Sequence, residues 1–260
     1  MTILGPNTNA DHSLLSRKVL LCNGEDEQEL RATLNACGLA TPLQYHGFRS
    51  YRFWRYRDLT VVLSSMGTGP LEALLWEMLN AQVVEEMVLV GTAGKPAGSR
   101  VALGEAYYID RARAVATGLD AELGSEWQAA GGAVWLAGHA FGSEVRGTQH
   151  GGMASIASTD LYYGLSPSNS AHYLPRTKSL YDELFQGEDA PDLIDMETAQ
   201  FYALCRRIPH SGLKAYLAFK GAANTLEHQE QQNEHTFGVL LECVKCALKA
   251  LEIDAAQSSV

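Results

Sequence analysis

The chain has 260 residues and a formal net charge of −10; 46% of it is hydrophobic and 19% charged. That length suffices for one large domain with a sizeable core, and the composition is that of a globular chain. The acidic excess excludes the basic footprint of a nucleic-acid binder, and no apolar run approaches the roughly 20 residues of a membrane helix.

Residues 1–16 are polar, lack a basic region followed by an apolar core, and predict a flexible arm and no secretory leader. Lys18-Val19-Leu20-Leu21-Cys22 predicts a strand that turns at Asn23-Gly24, and Glu25 to Cys37 predicts a helix. Glu25, Asp26 and Glu27 suit the positive end of that helix dipole. Tyr51 to Tyr56 alternates aromatic and basic residues and turns at Arg57-Asp58 into Leu59 to Leu63, a hairpin with one solvated face. Ser64-Ser65-Met66-Gly67-Thr68-Gly69-Pro70 follows, and Leu71, Leu74, Leu75, Met78 and Leu79 then recur at helical spacing. Met87 to Val90 is a continuous apolar run, as in a strand buried on both faces, and ends in a second glycine turn, Gly91-Thr92-Ala93-Gly94. This is a βαβ unit, with two glycine-bearing loops at the carboxyl edge of a parallel sheet, where open α/β folds bind ligands.

Further strands are expected at Ala106–Asp110, Ala133–Ala137, Met153–Ser158 and Leu213–Phe219. Loops are expected over 118–132 and 164–176, and an amphipathic helix over Phe237 to Leu251. One domain is expected over 17–252, with a tail at 253–260. Five scattered cysteines point to a reducing compartment, hence the cytoplasm. Cys243 and Cys246 form a CxxC without a second pair and read as core or helix-face thiols. His228 and His235, among glutamates, read as a solvated helical face, so no metal is implied.

Asp195-Met196-Glu197 is the most telling tripeptide. It lies where a strand hands over to a helix. Carboxylates bind adjacent hydroxyls through paired hydrogen bonds, and methionine offers a soft apolar floor. That chemistry suits the diol edge of a ribose; the plain alternative is a surface turn.

The glycine turn at residue 24, MGTG, GTAG, the VALGE turn and DMET follow one another in an order that resembles the nucleoside phosphorylase and nucleosidase superfamily. Its members include uridine phosphorylase, hexameric purine nucleoside phosphorylase and methylthioadenosine nucleosidase. The resemblance runs from Val19 to Leu251. It implies a three-layer α/β/α sandwich with a central mixed sheet and a distorted barrel. It also implies cleavage of an N-glycosidic bond through an oxocarbenium-like transition state, without a cofactor. Glu197 would then bind the ribose hydroxyls beside Asp195, with Met196 against the sugar. Thr92, Ala93 and Gly94 would line the place where phosphate or water meets the anomeric carbon, next to Met66 and Gly67. Tyr162 would stack on the base, or else be a core aromatic. Arg49 would reach a phosphate site in an adjoining subunit of a homodimer or trimer of dimers, or else be only one of a run of arginines.

Three departures narrow this picture. The turn after the first strand has acids in place of a phosphate-binding arginine, and Leu89 stands where phosphorylases carry another. The resemblance therefore favours water, with Glu29 as the activating glutamate and Glu27 close behind. The aspartate that protonates a purine leaving group is matched by Gly221, with Asn224 and Lys220 nearby. The expected function is hydrolysis of a nucleoside or nucleotide, as in purine salvage. The alternatives are a phosphorylase releasing ribose 1-phosphate and a non-catalytic nucleoside-binding relative.

Overall fold

A computed structural model describes residues 2–115, 136–138, 152–160, 162, 184–185, 189–208, 212–226 and 235–253. The expected loops over 118–132 and 164–176, His228 and most of the tail lie outside them. Ten strands among the described residues form one mixed sheet. Its flat half has β1 (Lys18–Asn23) parallel to β4 (Leu59–Ser64) and to β5 (Glu86–Lys95). The hairpin strand β3 (Tyr51–Arg55) and β2 (Gln44–Phe48), which carries no strong apolar pattern, extend it antiparallel to the edge.

The sheet is buried on both faces, and alternation along its strands shows this. Val19 and Leu21 of β1 join one core with Met87 and Leu89 of β5, against α2 (Thr68–Asn80) and α3 (Thr198–Arg207). Leu20 and Cys22 join the other core with Val88 and Val90, against α1 (Glu27–Ala36) and α4 (Thr236–Ala250). A period of two with apolar residues on both faces gives the continuous runs seen in the sequence. The result is the expected three-layer sandwich. Buried Cys243 and Cys246 on α4 belong to the second core, and all five cysteines are free thiols.

The other half of the sheet curls into a barrel. From β5 the order runs through β10 (Ala215–Thr225), β6 (Ala106–Ala114), β8 (Met153–Ser158) and β9 (Leu193–Asp195), and β9 returns to β5. A two-residue strand, β7 (Leu136–Ala137), pairs with β6. Strand β5 is therefore shared. Its pairing with β1 ends at Cys22–Val90, and its pairing with β9 is made at Gly94–Ile194. Residues 91–93 lie at the fork, so the expected glycine turn is instead a continuation of the strand.

The N-terminal segment is fastened down, contrary to its polar composition. Both oxygens of Glu77 on α2 accept hydrogen bonds, Oε1 from Asn7 and Oε2 from Thr8, each residue donating through backbone and side chain. Thr8, Ala10 and Leu14 are buried. A charged acceptor satisfying four donors supplies the anchoring that apolar surface would otherwise give.

Candidate active site

The fork in the sheet is where a cleft opens. Its walls come from Asn23 at the end of β1, Gly24 and Glu25 after it, Met66 after β4, and Thr92 and Ala93 in β5. Tyr162, Ile194 to Glu197 and Asn224 complete it. Gly24 has a φ of 75°, the left-handed conformation that glycine adopts freely, and this turns the chain sharply after β1. Asp26 then caps α1 by accepting from the backbone N–H groups of Gln28 and Glu29. Glu25 thus lies outside the helix and points into the cleft. Its Oε1 accepts from the Thr92 N–H at 2.6 Å and the Thr92 hydroxyl at 2.8 Å. Burial raises the pKa of Glu25 against those two bonds and the pull of Lys220.

Glu197 faces it from the start of α3. Gly67 donates its backbone N–H to Glu197 Oε1 at 3.0 Å, and Lys220 Nζ stands 3.5 Å from Oε2. Glu197 is buried; burial raises its pKa, Lys220 opposes the rise and Asp195 adds to it. Lys220 is 1% exposed and lies 3.1 Å from Asp195 Oδ2. Burial alone would lower its pKa, but Asp195 and Glu197 outweigh burial and hold it above the ordinary lysine value, so it is an ammonium. A methyl group on Gly91 would come within 3.1 Å of Lys220 Nζ and 3.3 Å of Glu25 Oε1, so the bare backbone at Gly91 leaves room for both charges.

At the far end Tyr162 crosses Gly94, where a Cβ would lie 2.4 Å from the phenol oxygen. The Tyr162 hydroxyl donates to Asn224 Oδ1 at 3.2 Å. A bulge between Ala222 and Asn224 sets Asn224 beside Gly94. Asn224 Nδ2 and Asn23 Oδ1 are buried and lack partners among the described residues. Among the described residues the site therefore has an acidic wall shared by Glu25, Asp195 and Glu197, one buried cation, Lys220, and a neutral polar end beside an aromatic ring.

At the level of sequence, no family model matches the chain and no curated protein does. Solved structures match it over most of its length. A methylthioadenosine/S-adenosylhomocysteine nucleosidase from Colwellia psychrerythraea 34H, in complex with adenine, aligns at 13% identity with a TM-score of 0.66, covering 92% of this chain and 96% of its own. The chain has the fold of the nucleosidases. The corresponding enzyme of Helicobacter pylori, bound to butyl-thio-DADMe-Immucillin-A, aligns at 13% identity, 91% and 98% coverage and a TM-score of 0.64. A futalosine hydrolase mutant of Helicobacter pylori gives 12%, 90% and 99%, and 0.61.

Most expected site residues line the cleft, but several differ in position or in role from the sequence reading. The acid that enters it is Glu25; Glu29 lies one turn along α1 and is not among the lining residues. Helix capping explains the difference, because Asp26 takes the dipole and leaves Glu25 free. Asp195 lines the cleft, but its oxygens are occupied by Ser158, Thr198 and Lys220, so it orders the strand-to-helix junction. Gly67 and Gly94 act through backbone: one donates to Glu197, the other makes space for Tyr162. Gly221 faces away, since a Cβ there would lie 1.5 Å from Val239 Cγ1 on α4; the cleft-facing residue of β10 is Asn224. Met66 is at the rim, 43% exposed, and Met196 packs against the cluster of Tyr162 and Ile194. Arg49 sits in the exposed β2–β3 turn with a φ of 51°, its guanidinium 5.2 Å from the Phe48 ring centroid.

Proposed function

We propose that the protein hydrolyses the N-glycosidic bond of a ribonucleoside. The observation that carries this reading is the pair of carboxylates across the cleft, Glu25 on Thr92 and Glu197 on Gly67. Glu197 accepts hydrogen bonds from the ribose hydroxyls, and Lys220 behind it opposes the rise in pKa that burial brings. Glu25, with its raised pKa, takes a proton from a water near Thr92 as that water reaches the anomeric carbon. Positive charge develops on the sugar in the transition state, and fixed carboxylates stabilise it without reorganising. Water is favoured over phosphate because the described lining holds no arginine, and Glu25 would repel an anion beside Thr92. The substrates named for the similar structures, methylthioadenosine, S-adenosylhomocysteine and futalosine, are all nucleosides, which supports the same bond class here.

Asn224 favours a second reading, nucleoside binding without cleavage, because an amide has no ionisable proton to give a leaving base. We also place the enzyme in the cytoplasm, consistent with its free thiols and with no described helix able to cross a membrane. A homo-oligomer is proposed, with exposed Arg49 available to a neighbouring copy. The test is a nucleoside panel incubated with and without phosphate, with free base and sugar quantified. Free ribose in both conditions is expected. Ribose 1-phosphate formed only with phosphate would make it a phosphorylase, and tight binding without products would make it a sensor.

A further inference from the structure

We propose that the cleft selects ribonucleosides whose base already carries a positive charge, such as N-alkylated purinium or pyridinium ribosides, and hydrolyses them without protonating the leaving group. The inference rests on the N-ribosyl hydrolase reading and deepens it.

Asn224 carries the argument. It is 3% exposed, it lines the cleft beside Tyr162, and its Nδ2 has no partner among the described residues. Whichever way the amide is turned, it donates a hydrogen bond but releases no proton near neutral pH. A neutral purine must take up a proton or leave as an anion, and general-acid help with that step is typically worth about 10²–10⁴ in rate. A cationic base needs no such help. Its orphaned partner, Asn224 Nδ2, suits a carbonyl or carboxamide oxygen on the ring, a neutral acceptor at the rim of a charged heterocycle.

The charge of the walls agrees. Glu25, Asp195 and Glu197 face one ammonium, Lys220, so the described lining carries more negative than positive charge. A cation gains on entry, and the charge then moves from the base to the sugar without leaving the carboxylates' field. Asn23, 3% exposed and also in the lining, has an Oδ1 without a partner among the described residues and offers a further acceptor. The step balances. Water oxygen bonds to C1′ and passes a proton to Glu25; the C1′–N bond breaks, and its electron pair cancels the charge on the ring nitrogen. Neutral base and ribose are released.

The experiment compares 7-methylguanosine and nicotinamide riboside with guanosine and adenosine at about pH 6, using the purified full chain and Glu197→Gln as the blank. Wild type is expected to cleave 7-methylguanosine with kcat/KM about 100-fold or more above guanosine, the lower end of general-acid worth. Asn224→Asp is expected to raise guanosine cleavage about 100-fold and so to narrow the gap between guanosine and 7-methylguanosine. Should that variant fail to fold, Asn224→Ala is expected to keep the cation preference. Equal kcat/KM for guanosine and 7-methylguanosine in wild type overturns the charge selection and leaves the hydrolase reading intact. No cleavage of any of the four overturns the hydrolase reading itself.

Discussion

Replacing Lys220 by Met nearly keeps the volume of the side chain and removes its charge together with its hydrogen-bond donors. Lys220 lies 3.1 Å from Asp195 and 3.5 Å from Glu197, at 1% exposure. At an effective dielectric of about 20, each contact is worth roughly 5 kcal/mol by Coulomb's law, and desolvation of the ammonium offsets much of the sum. What remains after deletion is two buried carboxylates facing each other. Removing one partner from such a group costs about 3–5 kcal/mol. For a chain of this size that is a fall in Tm of roughly 6–20 °C. Urea unfolding followed by tryptophan fluorescence at pH 8 and pH 5 measures it. The loss is expected to shrink at the lower pH, because Glu197, its pKa already raised by burial and freed from the opposing pull of Lys220, takes up a proton. A loss below about 1 kcal/mol that does not change with pH would show that the ammonium is not balancing these carboxylates.

Glu25→Gln is expected to lower hydrolysis by about 100-fold or more while the fold persists, since the amide oxygen still accepts from both Thr92 donors. The folded-state pKa of Glu25 lies above its ordinary 4.5, so its neutral form is favoured by folding. Its stabilising contribution is therefore full below about pH 4.5 and lost as pH rises through the raised value. Equilibrium unfolding at pH 8 should accordingly find the Gln variant at least as stable as wild type, and kcat/KM of wild type should climb as pH rises through the same ionisation. Gly221→Asp should gain no activity and should destabilise, as Val239 already fills that space. Even Gly221→Ala is expected to lose about 1–3 kcal/mol by overpacking, read as a lowered Tm.

The layered core was legible because Val19–Cys22 of β1 and Met87–Val90 of β5 are apolar at every position, the pattern of a sheet covered on both faces. The strand-to-helix junction that carries Met196 and Glu197 was legible too, since both follow a short buried strand directly. Glu25 was hidden by Asp26 and Glu27: three adjacent acids look interchangeable until one of them caps the helix. A signal for Lys220 did exist, a single charge inside the apolar run of β10, which implies buried counter-charge. The choice between Gly221 and Asn224 turns on a bulge, and bulges leave little trace in sequence. Strand β2, with its exposed pattern, is held by pairing with β3 and not by apolar periodicity.

A sheet that curls into a barrel along only half its width must tear somewhere, and here the tear runs past Thr92. The backbone N–H exposed there is mended by Glu25 in place of a neighbouring strand. The acid proposed to move a proton is therefore also a splice in the hydrogen-bond ladder. A descendant of this protein that abandoned catalysis would still need an acceptor at residue 25, so Asn, Gln or Asp could replace Glu25 there, whereas Leu or Val would unseat β5. Retention of a polar group at that position is, on this account, a mark of the fold, and only its ionisability is a mark of the enzyme.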